Sequence, residues 1–191
     1  MALRKIAQIG HPVLRQVARE LSLAELAHAS TQSFIDDLVE TMRDANGAGL
    51  AAIQVYEPIR IIAVEVKDNP RYPYKPNIPL TVLVNPKLEV LGEERFENYE
   101  GCLSVPNLRG LVRRAARVRV RGWTRDGQDF DRVAEGFTAG TFQHEVDHLD
   151  GTLFVDRVED PRSFTTWTEF ERHHLGAWLE RADAIKRRYG G

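Results

Sequence analysis

Apolar positions recur at helical spacing near both ends of the chain and at strand spacing in the middle. Ile35, Leu38, Val39 and Met42 fall on one face of a helix expected over residues 31–46. Ser30 or Thr31 suits its start and Gly47 its end. A shorter helix is expected within 11–19, after Pro12. Residues 60–66 and 80–84 are β-branched runs and read as strands. Between them, Pro70, Pro73, Pro76 and Pro79 predict an exposed, irregular loop over 69–79. Residues 87–91 and 94–99 flank Gly92 like a hairpin, and 112–123 alternate basic with apolar residues before an Asp126-Gly127 turn. Residues 137–150 read as a helix with Gly151 just past its end. A last helix is expected over about 163–188, with Phe164, Trp167, Leu175, Trp178, Ala182 and Ile185 as its apolar stripe. Strands in the middle with helices on either side predict an α+β fold. Its mixed or antiparallel strands would surround the 137–150 helix, with an N-terminal and a C-terminal helix outside. No linker is visible, so residues 1–191 are expected to form a single domain.

Composition narrows the function classes. A chain of 191 residues with 42% hydrophobic and 28% charged residues can build one sizeable core. Its formal net charge of -2 gives no global reason to bind nucleic acid or a membrane, so neither specific DNA nor a lipid surface is expected as a partner. Cys102 is the single cysteine, which forbids an intrachain disulfide and fits a reducing compartment. The N-terminal apolar stretch is too short for a signal-peptide core, and no run approaches the ~20 apolar residues of a membrane span. A cytoplasmic location is expected.

The sharpest chemical signal is His144-Glu145-Val146-Asp147-His148. On a helix, residues i and i+4 share a face, so two imidazoles can grip one cation. Glu145 sits where it can act as general base on water that the cation activates. A catalytic site of this kind has three protein ligands, and three sources for the last one are open. A third histidine three residues after Gly151 is not available, because Phe154 stands there. Glu169 or Glu171 lies farther along the chain, and Cys102 offers a soft thiolate that suits Fe(II) or Zn(II). Local context favours Cys102, since Gly101 beside it permits close backbone approach. A third unusual segment is Gly47-Ala48-Gly49-Leu50-Ala51-Ala52-Ile53-Gln54, where two glycines follow a helix and an amide ends an apolar run. A buried Gln54 amide needs a partner, and a substrate carbonyl would supply one.

Together these segments resemble the peptide deformylases. That family is marked by Gly-x-Gly-Leu-Ala-Ala-x-Gln, Glu-Gly-Cys-Leu-Ser and Gln-His-Glu-x-Asp-His-Leu-x-Gly, which stand here at 47–54, 100–104 and 143–151. The resemblance runs from Ile6 to about Val158. It implies hydrolysis of the N-terminal formyl group from formyl-methionyl nascent polypeptides. It also implies one divalent metal ion, Fe(II) or its replacement Zn(II), held by Cys102, His144 and His148. Glu145 is then the general base, and Gln54 with the Leu103 N–H stabilises the oxyanion. Gly47, Gly49, Glu100, Gly101, Arg109, Phe137, Gly140 and Thr141 are implied at the substrate cleft, with Arg109 expected to pair with Glu100. Gly140 and Thr141 are smaller than the residues many members carry at the methionine pocket.

The remaining basic residues have plainer readings. Arg117, Arg119 and Arg121 alternate onto one strand face, expected to be solvated. Lys186, Arg187 and Arg188 suit a helix C-terminus. The resemblance adds a weak ribosome contact through 180–188. His173 and His174 point about 100° apart on a helix and make a poor metal pair.

Overall fold

A computed structural model describes residues 2–67, 69 and 71–190. Among these residues, seven strands form two sheets. In chain order they are β1 Gly49–Ala51, β2 Ile61–Val66, β3 Ile78–Val90, β4 Arg95–Cys102, β5 Val105–Ala115, β6 Arg117–Trp123 and β7 Asp129–Glu135. One sheet has the order β1-β2-β3-β6-β7 and the other pairs β4 with β5, with every neighbour antiparallel. The helices are α1 Leu23–Ala27, α2 Ala29–Asp44, α3 Gly136–Leu149, α4 Trp167–His173 and α5 Leu175–Tyr189. The α+β expectation holds. Among the described residues, no helix is long and apolar enough to cross a membrane.

β2 shows why the middle of the sequence reads as continuous apolar runs. Its side chains alternate between faces, and both faces are covered. Ile61 and Ala63 join Ile35, Leu38 and Met42 of α2, whereas Ile62 and Val64 join the cluster that holds Phe142, Val146 and Leu149 of α3. α3 therefore lies between the large sheet and the β4–β5 pair, buried almost all round. Polar side chains on such a helix must find partners inside the protein.

The end of α2 is built differently from the expectation. Asn46 takes the left-handed conformation (φ 52°), while the Gly47 N–H donates to the Met42 carbonyl at 2.9 Å and the Asn46 N–H to Arg43 at 3.0 Å. This paired closure makes Asn46 the terminator and releases Gly47 to begin the segment that enters the site. At the other end the helix starts at Ala29, capped by the His28 ring rather than by Ser30 or Thr31. The expected helix within 11–19 is a single 3-10 turn, Pro12–Arg15. Gly151 behaves as expected, with φ 71° just past α3.

Four further expectations are corrected. The runs at 80–84 and 87–91 are one strand, kinked by a register shift between Val84 and Lys87. There Asn85 turns left-handed and its amide bonds both backbone groups of Leu21, at 2.8 and 3.0 Å. The chain turns at Gly92 without making a hairpin, because Lys87, Leu88 and Val90 already pair with β6 and β4 pairs with β5. The proline-rich segment is irregular over 71–77 but already strand from Ile78, with Pro79 inside β3, and it is not exposed throughout, since Tyr72 and Tyr74 are buried. Pro70 lies outside the described residues. The long C-terminal helix is broken at both ends of α4. Thr165 exchanges two backbone hydrogen bonds with Arg109 of β5, which separates the 3-10 turn Pro161–Ser163 from α4, and a bend at His174 separates α4 from α5. The bend lets Phe170 and Trp178 both pack on Tyr99, with ring centroids at 4.9 and 5.4 Å.

Candidate metal centre and its cleft

Three elements converge on one point. α3 supplies His144, Glu145 and His148 from successive turns, the end of β4 supplies Glu100 and Cys102, and the 3-10 turn Ala52–Val55 after β1 supplies Gln54. The ladder between β4 and β5 shifts register between Gly101 and Cys102. Such an irregularity re-aims a side chain, and here it brings Cys102 Sγ to 3.2 Å from His148 Nε2. One ligand atom from each of Cys102, His144 and His148 lies within 4.8 Å of the others. A soft thiolate and two imidazoles at that spacing fit a divalent transition metal. His148 Nδ1 and Glu145 Oε2 are buried without a hydrogen-bond partner among the described residues.

The charges around this point are ordered. Glu100 accepts from His144 Nδ1 at 2.8 Å, which leaves His144 Nε2 for a cation. Arg114 meets Glu100 with two parallel bonds of 2.7 and 2.8 Å and reaches Asp147 Oδ2 at 2.6 Å. Arg157 closes the chain on Asp147 at 2.5 Å. Burial opposes the charge on Glu100, but Arg114 and His144 outweigh it and hold its carboxyl far below the usual range. Burial above all lifts Glu145 up to about 7. Burial, helped by neighbouring His144, keeps the His148 imidazole neutral, the form that ligates metal.

The expected pairing of Arg109 with Glu100 is not found. Arg109 donates to Tyr74 Oη at 2.5 Å and to the Tyr99 carbonyl at 2.9 Å, and its guanidinium stacks 4.0 Å from the Phe170 ring and 4.3 Å from Trp167. It braces the proline-rich segment from below. Phe137 is likewise core, packed on Tyr74, Phe96 and Trp178. The other expected positions do meet. Gly47, Gly49, Gln54, Glu100, Gly101, Cys102, Leu103, Gly140, Thr141, His144 and Glu145 line one cleft, and His148 lies deeper, against Cys102. Arg71, Tyr72, Lys75 and Asn98 line it too and were not foreseen. Two tyrosines among prolines were the available sign that the 69–79 segment has a buried side. Asn98, two residues before Glu100 on the same strand, shares its face.

Two comparisons decide the family. The sequence profile of the polypeptide deformylases matches residues 3–164. Peptide deformylase 1 of Prochlorococcus marinus is 42% identical over 90% of this chain and 88% of its own length. The chain belongs to the polypeptide deformylase family. A peptide deformylase of Leptospira biflexa is 40% identical over 86% of this chain and 92% of its own. The Met-Ala-Ser-bound crystal structure of a class I type b peptide deformylase from Acinetobacter baumannii superposes with a TM-score of 0.79 at 41% identity, over 82% of this chain and 99% of that one. Deformylases remove N-terminal formyl groups from nascent polypeptides and depend on a metal. The Cys102, His144 and His148 cluster is the place in this member where one can bind.

Gly49 shows how tightly the cleft is made. A Cβ there would sit 2.5 Å from Glu145 Cδ, so any side chain must push the carboxylate aside. Gly49→Ala is expected to lower the kcat for formate release about 100-fold, the scale of an ångström-sized misplacement, with metal content unchanged. Turnover near wild type would show that Glu145 tolerates displacement.

Proposed function

We propose that Glu145 is the general base and acid of the deformylation, acting beside a metal held by Cys102, His144 and His148. The observation that carries this reading is the convergence of those three ligand atoms within 4.8 Å, with Glu145 next in sequence to His144 and one of its oxygens left unpartnered in the cleft. A divalent cation bound there is a Lewis acid that makes water a usable nucleophile at neutral pH. Glu145 takes a proton from that water as it attacks the formyl carbon and gives it to the leaving amine as the C–N bond breaks. Charge that develops on the formyl oxygen is met by the Gln54 amide and the Leu103 N–H. The Gln54 side chain is fixed at both ends, since its Oε1 accepts from the Ala51 N–H at 2.8 Å and its Nε2 donates to Ser104 Oγ at 3.0 Å. β1 is an edge strand, so its free side, with Gly47 and Gly49, can take the peptide as an added strand. A formyl carbon carries only hydrogen, so a cleft this close admits it and excludes an ordinary peptide bond.

The native metal in this reading is Fe(II), with Zn(II) as a substitute, the protein is cytoplasmic, and residues 1–191 act as one domain. A weak ribosome contact through α5 completes it. Of the basic side chains there, Arg181, Lys186 and Arg188 pair with Glu97, Asp183 and Glu94 of this chain. Arg187→Glu should therefore weaken cosedimentation with ribosomes, and unchanged cosedimentation would remove the contact. The reaction itself is tested by formate release from a formyl-methionyl peptide, with protein prepared anaerobically in Fe(II). Stoichiometric formate is expected, and none from folded, metal-loaded protein would refute the assignment.

A further inference from the structure

The thiol of the metal cluster hangs on the least constrained backbone in the site. Cys102 ends β4 directly after Gly101, where the ladder to β5 loses register. Glycine has the widest backbone freedom of any residue, so the aim of the thiol depends on what confines Gly101. Side chains alternate along β4. Glu100 and Cys102 face α3, where they meet His144 and His148, and the Cβ position of Gly101 faces away from it. A Cβ there would meet Trp167 Cζ2 at 2.9 Å, and the Leu108 carbonyl and Tyr72 Oη at 3.5 Å each. Tyr72 Oη also donates to the Gly101 carbonyl at 3.3 Å. The Trp167 indole therefore lies directly on the Gly101 backbone, behind the thiol. On its own side the thiol accepts from the Ser104 N–H at 3.4 Å and from Gln54 Nε2 at 3.5 Å. Both contacts lie beyond Gly101 and leave its backbone to be confined by Trp167, Tyr72 and β5.

Trp167 is itself held in place. Across the ladder Gly101 pairs with Arg109, and Arg109 exchanges two backbone hydrogen bonds with Thr165, at 2.8 and 2.9 Å. Those bonds tie the chain just before α4 to the strand that faces Gly101. Thr166 then caps α4, its hydroxyl accepting from the Glu169 N–H at 3.3 Å. The half-buried indole has the Arg109 guanidinium 4.3 Å from its ring centroid and that of Arg71 at 4.7 Å, contacts that attract a cation to an aromatic face. Trp167 stands past residues 3–164, the stretch that carries the family match, so its role is read from this chain's own contacts.

On the metal reading above, we infer that Trp167 is a positioning residue of the metal centre: packed on Gly101, it fixes the irregular end of β4 in the conformation that aims the Cys102 thiol at the cluster. Its loss would open space behind a glycine. Cys102 would gain other orientations, while His144 and His148 stay on α3.

The test uses Co(II)-loaded protein, whose thiolate-to-Co(II) charge-transfer absorption reports the sulfur ligand, together with the rate of Co(II) loss to excess chelator. Trp167→Ala should weaken or shift that band and release Co(II) about 10–100 times faster than wild type, the usual worth of a residue that orients a ligand. Trp167→Phe, which keeps an aromatic ring over Gly101, should restore most of both. Phe170→Leu is the control, because Phe170 is on the same helix but packs on Tyr99 and Arg109. It should lower the denaturant midpoint and leave the band and the release rate as in wild type. Trp167→Leu takes over the comparison if Trp167→Ala does not fold. A folded Trp167 variant with the wild-type band and release rate would overturn the inference. So would a Phe170→Leu that changes both as much as Trp167→Ala, since the effect would then be a general loosening. A wild type that binds Co(II) without the charge-transfer band would instead refute the thiolate ligand, and with it the reading on which the inference rests.

Discussion

Glu145→Gln should bind its metal normally and release formate about 10²–10⁴ times more slowly than wild type, the usual worth of a positioned general acid–base group. The amide keeps the size and hydrogen-bonding reach of the carboxylate but cannot take a proton. The substitution is conservative for packing, since Glu145 Oε2 has no partner to lose. Removing a buried carboxyl whose charge is opposed by its surroundings should leave stability the same or slightly higher. Formate assays, metal analysis and a thermal melt on one preparation separate these effects. A slow variant that had also lost metal or stability would point to a structural role for Glu145.

Arg114→Met should be the most damaging single change away from the ligands. Its guanidinium is nearly inaccessible and bridges two buried or half-buried carboxylates, Glu100 and Asp147. Loss of one partner from such a network costs about 3–5 kcal/mol, because the remaining charges stay buried without compensation. Glu100 would then keep only His144 and the neutral Asn98 amide as partners, and the carboxyl that holds the His144 ring for metal would lose its charged anchor. Denaturant unfolding should show the loss of stability, and metal affinity should fall with it. A variant of wild-type stability would mean that water replaces the guanidinium. Asp147→Asn is the milder companion, since Arg114 keeps Glu100.

Much of this was legible in the chain. The i, i+4 histidines needed only helical spacing, and α3 has it. Cys102 was favoured by a neighbouring glycine, and the β4 irregularity at that glycine is what turns its thiol toward His148. Less visible were features that depend on which strands pair. Arg114 looks like one more member of an arginine-rich surface run, yet it is buried, because β5 lies beside β4 and opposite α3. Its neighbour Arg113 is exposed. Arg117, Arg119 and Arg121 are the surface arginines the alternation describes, paired with Glu135, Asp131 and Glu89. The proline density at 69–79 marks an irregular stretch over 71–77, but it did not forbid β3 from starting at Ile78 and taking in Pro79, and it says nothing about burial. Tyr72 and Tyr74 are held down by Arg109 of β5 and by Trp167 of α4 and Trp178 of α5, all from other segments of the chain. The bend at His174 leaves no sequence mark, because it is imposed by where Phe170 and Trp178 must pack.

The most direct test of the metal centre is the metal content of Cys102→Ser after exhaustive dialysis, measured beside wild type together with formate release. A three-ligand site that includes the thiolate predicts about one metal per wild-type chain and close to none in the variant, with formate release lost in step. A variant that kept its metal and its activity would contradict the account. It would direct attention to Glu169 or Glu171 as the third ligand, although Glu169 lies on the exposed side of α4 and pairs there with Arg172 and His173.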